Sequence, residues 1–427
     1  MKVAIITAGS RGDVQPFVAL GLGLKKTGHQ VKICTHSGFQ SFITQYGLDY
    51  GFMNDEMSRF LISDRGHEAI ESSGGTFGWL KTAARVSKQF NPIMRRMLEE
   101  EWKAAQGSDV IIYHPKAAGG YDIAEKLDVP LFISIPLPLL APTRAFPCVL
   151  FSRVKLGGWF NKLSYSFLRY AAAIYGKTIN TWRREILELP PRRITAGTLT
   201  RRNGQPVPIM YSYSSHVIPR PDDWPETTVV TGYWFLNGDE NWAPSRALVD
   251  FLAAGSPPVY IGFGSIAGRN PARTTTVVTE ALKKSGQRGI IATGWGGLEA
   301  SLLPETMFVI DQAPHNWLLP RVAAVVHHGG AGTTAAGLRA GKPTIICPFF
   351  GDQPFWGSCI SEIGVGPEPI PQKKLTVENL AAAIQVAVTS ESMRKRAAAL
   401  GEKIRMEDGV ERAIQFIEQS VKMSLNM

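Results

Sequence analysis

HHGGAGTTAAGLRAGKPTIICPFFGDQ, from His327 to Gln353, is the stretch whose reading decides the fold. Val322 to Val326 is a short, apolar, β-branched run that stops at His327, His328 and the glycines Gly329, Gly330 and Gly332, as a buried strand ending in a turn would. Thr333 and Thr334 predict the start of a helix that ends near Gly341. Thr344 to Cys347 predicts the next strand, and Pro348 to Gln353 hangs off its C-terminal end, where open α/β sheets hold their ligands. Amides freed by the glycines, with the positive end of the helix dipole, make a site for phosphate or pyrophosphate; His328 and the Thr333 hydroxyl add donors. Asp352 and Gln353 are positioned to hydrogen-bond hydroxyl groups. A lone Gly-rich turn is as often pure packing, but the second motif at the next strand tip weighs against that here. A Walker A reading fails, because Gly337 to Pro343 lacks the four-residue spacer and puts proline where Ser or Thr would bind magnesium.

The N-terminus repeats the logic. Met1 to Gly9 (MKVAIITAG) predicts a strand, Ser10 to Pro16 a loop, and Phe17 to Lys26 a helix; the run is too short and too quickly broken for a secretory signal. At 427 residues the chain exceeds the size of a single core, so two α/β halves are expected. Pro258 to Phe263 predicts a strand leading to Gly264 and Ser265, followed by a helix from Pro271 to Lys284 and a strand from Gly289 to Ala292. Such alternation argues for parallel sheets covered by helices on both faces. Residues 1–235 and 240–408 are the expected domains, with a linker between Ile218 and Pro244 and a last helix over 409–427. Cys34, Cys148, Cys347 and Cys359 are far apart and without metal spacing, as in a reducing, cytoplasmic compartment.

Charge is concentrated. Residues 131–202 hold twelve Lys or Arg and two Glu, an excess equal to the +10 of the entire chain. Phe160, Leu163, Phe167, Tyr170 and Ile174 fall at helical spacing in the same segment. A basic, aromatic, amphipathic stretch suits an anionic membrane surface; a core face with a solvated basic rim is the competing reading. No nucleic-acid module accompanies the charge, and no apolar run spans a bilayer.

HHGGAGTTAAGLRAGKPT followed by PFFGDQPFWG resembles the donor-site signature of inverting, nucleotide-sugar-dependent glycosyltransferases of the GT-B fold (family 1). It is most similar to sterol glucosyltransferases, with antibiotic-aglycone glycosyltransferases next. The resemblance implies two Rossmann-like domains with parallel sheets facing across a cleft, the last helix packing back on the first domain. GSRGDVQP resembles the family's acceptor-side loop, which implies Asp13 as general base with its basicity raised by a partly dry cleft. Asp is also a favoured helix cap.

The implied donor site comprises Ser10, Arg11, Gly12, Gly264, Ser265, Ala313, His315, His328, Gly330, Ala331, Gly332, Thr333, Asp352 and Gln353. No metal or other cofactor is expected, His328 and the helix N-terminus taking the place of a cation on the leaving diphosphate. Pro142, Phe146, Trp159 and Phe167 are implied on the acceptor side, and Asn54 to Gly78 as a further acceptor loop. Gln312 stands where plant relatives stack a tryptophan on uracil, and Ala336 where they bind ribose through glutamate, so the implied UDP-glucose has a dTDP-sugar as alternative. Trp295 is a candidate base platform or a loop-packing residue. The expected activity is hexose transfer to a lipophilic alcohol such as a sterol, or to a natural-product aglycone; a nucleotide-sugar epimerase or hydrolase, and a non-catalytic sugar-nucleotide-binding partner protein, are the readings from other classes.

Overall fold

The computed structural model describes residues 1–56, 59, 76–152, 154, 156–237, 242–264, 271–293 and 304–425, with backbone alone for 76–89, 171, 271 and 425. Ser265, Trp295 and most of the 54–78 segment lie outside these residues. Two compact units are present: 1–215 with 220–236 and 408–427, and 216–219 with 237–407.

The first unit is built on a seven-stranded sheet. Its strands are β1 (Lys2–Ile6), β2 (Gln30–His36), β3 (Asp49–Met53), β4 (Val110–Tyr113), β5 (Leu131–Ile135), β6 (Ile209–Tyr211) and β7 (Thr228–Val230), in spatial order 3-2-1-4-5-6-7 and parallel throughout. β4 and β5 are buried along their full length, which is why they read as apolar runs interrupted by Ser134 alone. β7 occupies part of the expected linker. Three residues are too few to show a period, yet they pair with β6 in register Ile209↔Thr228 to Tyr211↔Val230.

The helix after β1 runs Arg11–Lys26 and starts earlier than expected. Pro16 removes an amide that would have bonded the Gly12 carbonyl, which leaves the first turn intact. The closing helix, Gly409–Leu425, packs on it within the same unit. Gly23 permits that approach, since a Cβ there would lie 2.5 Å from Val410 Cγ1 and 2.7 Å from Ile414 Cδ1. Ile414 and Ile417 enter the core shared by β1, β2 and the Arg11–Lys26 helix. Burial of each side chain stabilises by about 1.5–3 kcal/mol.

The second unit holds β8 (Val259–Gly262), β9 (Gly289–Ala292), β10 (Met307–Ile310), β11 (Ala324–His327) and β12 (Thr344–Ile346), parallel in order 10-9-8-11-12. Alternate residues feed opposite faces: Val259, Ile261 and Val326 join one core, Tyr260, Ile290 and Val325 the other.

The aromatic stripe of 160–174 is not one face. Helices Gly158–Ser164 and Ser166–Ala172 and a 3-10 turn divide it. Phe160 and Phe167 both meet Phe151 edge-on, while Leu163 and Tyr170 are exposed. The basic excess also shrinks. Arg183 and Arg192 pair with Asp122, and Arg183 and Arg202 with Glu125, acids contributed from outside the counted window. Among the described residues no helix is long and apolar enough to cross a membrane.

Candidate functional site

Each sheet reverses its winding once, between β1 and β4 in the first unit and between β8 and β11 in the second. Ligands of open α/β sheets bind beyond the carboxyl ends of the strands at such points. The chemistry-bearing residues of both units lie there.

In the first unit Asp13 stands in the opening turn of the Arg11–Lys26 helix, three residues after its N-cap Ser10, and forms a capping box with it, so it does help to cap the helix. Its Oδ2 accepts hydrogen bonds from the Ser10 amide at 2.7 Å and the Ser10 hydroxyl at 3.0 Å. Gly9, at φ +130°, lets the loop pass the carboxylate; a Cβ at that position would collide with Asp13. Across from β1, the loop after β4 delivers Lys116, whose Nζ donates to Asp13 Oδ1 at 2.7 Å. The same loop delivers His114, whose Nε2 lies 3.7 Å from that oxygen.

His114 is fixed on three sides. Its amide donates to the Ile6 carbonyl, its Nδ1 accepts from the Lys116 amide at 3.1 Å, and its ring meets Phe17 edge-on. With Nδ1 an acceptor, the neutral ring carries its proton on Nε2, toward Asp13. Burial, aided by Lys116, pushes the ring pKa down to about 4 against the pull of Asp13, so it is neutral near pH 7.

Burial alone would raise the Asp13 pKa; the Lys116 charge, the His114 ring as it gains a proton at the low pH where Asp13 titrates, and the hydrogen bonds from Lys116 and Ser10 outweigh it and hold the carboxyl below its ordinary value. This corrects the expectation of a base strengthened by a dry surround. Asp13 is ionised and weakly basic as it stands.

Sequence reasoning missed His114 and Lys116. Their signal was available: His114-Pro115-Lys116 ends the apolar run VIIY, as Ser10 to Asp13 ends KVAII. The other expected residues of this loop point elsewhere. Arg11 bonds Gln15 and lies over the Phe42 ring, and Gly12 is exposed.

In the second unit β11 ends in His327, which is buried, neutral through burial, and accepts the Gly329 amide on Nδ1 at 3.0 Å. Gly329 adopts φ +96°, and a Cβ there would come within 2.7 Å of Ile346 Cγ2. The turn thus requires glycine. Gly330 is the N-cap of the helix Ala331–Arg339. The first recorded bond back to it comes from the Thr334 amide, which leaves the amides of Ala331, Gly332 and Thr333 ahead of the helical ladder. Together with the helix dipole they form an anion cradle.

The His328 ring stands between Gly330 and Gly264: their Cβ positions would lie 2.5 Å from its Nε2 and 3.4 Å from its Cε1. Its Nδ1 has no partner among the described residues. Burial brings its pKa to about 4. His328 is therefore neutral near pH 7, a state in which it can act as a hydrogen-bond donor.

Gln353 is buried and its Oε1 accepts the amides of Phe349 at 2.7 Å and Phe350 at 3.3 Å, shaping the loop after β12. Asp352, the N-cap of the next helix, accepts from Trp356 Nε1 at 3.1 Å. Both side chains thus order the loop. His315 opens a short helix and meets Tyr260 edge-on, with Ala313 packed just before it.

Of the expected acceptor residues, Phe146 packs on Trp224 and Phe167 on Phe151, Pro142 is exposed, and Trp159 is 77% exposed.

Residues 3–145 match the glycosyltransferase family 28 N-terminal domain, and residues 290–409 match the erythromycin biosynthesis protein CIII-like C-terminal domain. A sterol 3-beta-glucosyltransferase of Arabidopsis thaliana is 38% identical over the whole chain and 69% of its own length. One of Emericella nidulans is also 38% identical over the whole chain, which spans 30% of that relative. Among solved structures, the glycosyltransferase of kitacinnamycin superposes with a TM-score of 0.73 at 17% identity, covering 98% of this chain and 99% of its own. The glycosyltransferase VinC, in complex with dTDP, gives 0.64 at 18% identity, with 98% and 99% covered. The fold is GT-B.

Proposed function

The chain belongs to the sterol 3-beta-glucosyltransferase family, and on that premise we propose that it transfers glucose from UDP-glucose to the hydroxyl of a lipophilic acceptor, a sterol first of all, with inversion at the anomeric carbon. The chain spans 28–30% of the length of the fungal relatives it matches, so the activity is argued from its own residues. The observation that carries the reading is that each unit has its own switch-point site: an ionised carboxylate beyond β1 in the first and an anion cradle beyond β11 in the second.

Asp13 would take the proton of the acceptor hydroxyl as its oxygen attacks the anomeric carbon, a role that contributes about 10²–10⁴-fold in rate. The amides of Ala331 to Thr333 and the His328 ring would bind the departing diphosphate as fixed, neutral donors. We propose that no metal takes part. Solved neighbours carry thymidine diphosphate, which makes a dTDP-sugar the second donor to try and a natural-product aglycone the matching acceptor.

The test is mass spectrometry of the protein with UDP-glucose in EDTA, with and without sterols, flavonoids and macrolides. A hexose added to a sterol supports the reading. UDP release without any conjugate would favour a hydrolase, and binding without turnover a partner protein.

A second feature supports peripheral contact with an anionic membrane. Leu156, Trp159, Leu163 and Tyr170 are 68, 77, 50 and 65% exposed, and Arg144, Lys162, Arg169 and Lys177 are exposed nearby in the chain. Apolar side chains rimmed by cations fit an anionic lipid interface. Trp159→Ser with Lys162→Ser should weaken binding to phosphatidylserine vesicles and leave turnover of a soluble acceptor unchanged; undiminished vesicle binding would remove this contact from the proposal.

A further inference from the structure

We propose that Lys116 is a positioning residue that occupies the proton-accepting oxygen of Asp13 until an acceptor hydroxyl displaces it, so that the base does not activate water against the donor sugar. This rests on the glycosyl-transfer reading above.

The geometry divides the carboxylate in two. Oδ2 is held by the amide and hydroxyl of Ser10, and so fixes the direction of the group. Oδ1 is the oxygen left for a substrate proton, and there the Lys116 ammonium sits at 2.7 Å. Asp13 is 12% exposed and Lys116 57%, so the cation reaches inward from solvent on a flexible stem and can return to water without moving the backbone. A single ammonium contact suits this better than a bidentate arginine would. His114, buried and tied at Nδ1, keeps its Nε2 beside Oδ1 whether Lys116 is there or not.

Among the described residues, Lys116 and His114 are the charged or titratable groups that face Asp13. With Lys116 in place the carboxyl is held low; with Lys116 withdrawn, burial is opposed by less and the carboxylate becomes a stronger base. An arriving hydroxyl therefore frees the oxygen and strengthens it in the same event.

In transfer, the acceptor proton passes to Asp13 Oδ1, the acceptor oxygen bonds the anomeric carbon, and the bond from that carbon to the phosphate oxygen breaks with its electron pair leaving on the diphosphate. Water in place of the acceptor makes and breaks the same bonds and yields free sugar. The ion pair opposes that second course.

The experiment uses the full chain with Lys116→Met and Lys116→Arg, measuring UDP release from UDP-glucose without acceptor and glucoside formation with a sterol. Lys116→Met should raise the ratio of hydrolysis to transfer roughly tenfold. It should also move the acid limb of kcat/KM for transfer to higher pH. Lys116→Arg, which keeps the charge but grips the carboxylate as a planar fork, should leave the acid limb no higher than in the wild type and slow transfer, and Asp13→Asn should abolish the effect of Lys116→Met. If either readout in Lys116→Met stays at the wild-type value, the inference is overturned. A wild-type protein that glucosylates no acceptor refutes the transfer reading itself and takes this inference with it.

Discussion

Glu101→Gln tests the ground beneath the loop that carries His114 and Lys116. Glu101 is fully buried in the helix Thr76–Ala105, and its Oε2 accepts the Gly119 amide at 2.8 Å, while Oε1 has no partner among the described residues. Burial raises its pKa from 4.5 to about 8, with Asp122 and Glu100 adding to the rise and the Gly119 amide opposing it. The folded protein then holds a proton that the unfolded chain releases near pH 4.5. Stability from this group is complete below that value and is lost as pH rises through about 8. At about 1.4 kcal/mol per pH unit the loss approaches about 5 kcal/mol between those two values. Glutamine keeps the oxygen that receives the Gly119 amide and cannot ionise. Urea unfolding at pH 5 and pH 8.5 should find the variant within about 1 kcal/mol of wild type at the lower pH and several kcal/mol more stable at the higher. A stability difference that does not change between the two pH values would show that Glu101 is ionised in the folded protein, and the reasoning would fail.

Asp13→Asn keeps an oxygen for Ser10 but offers no base, so glucoside formation should fall by about 10²-fold or more while UDP affinity, measured calorimetrically, stays within about twofold. Near-normal turnover would remove Asp13 from the proposed role. Arg183→Met leaves Asp122 buried with Arg192 as its remaining partner, and should lower unfolding stability by about 3 kcal/mol, toward the smaller end for a broken buried pair. Gly329→Ala forces a Cβ against Ile346 and a left-handed backbone on alanine, so UDP binding and the thermal midpoint should both drop. Wild-type UDP affinity in that variant would mean that the turn does not shape the cradle.

What was legible in the sequence was local. His327 to Gln353 announced strand, turn, helix and strand because glycines and β-branched residues act within a few positions of one another. Gly289–Ala292 and the closing helix were legible for the same reason. What was not legible came from distance in the chain. Asp13 meets Lys116 across a hundred residues, and no spacing rule links them. The basic excess of 131–202 looked larger than it is because Asp122 and Glu125, which neutralise part of it, precede the window. The stripe from Phe160 to Ile174 kept helical spacing through two helices and a 3-10 turn, so periodicity survived where the single helix did not.

The two halves solve one topological problem with opposite charge. In each, the sheet reverses direction beside its first strand, and the loops that part there leave a crevice that helices on either side cannot fill. In the second unit the loop after β11 runs through glycines into a helix N-terminus, so the crevice is lined by amides and by a histidine kept neutral by burial; it favours an anion without carrying a full charge. In the first unit the helix after β1 also begins at the crevice, but its opening turn already contains a carboxylate, and Ser10 supplies the donors that a bound anion would otherwise have used. A phosphate is therefore disfavoured there, and the group that compensates the carboxylate is a lysine free to leave. The same fold, with a glycine run in one place and Asp13 in the other, sets an amide-lined crevice in one unit and a carboxylate in the other by the sequence of two short loops.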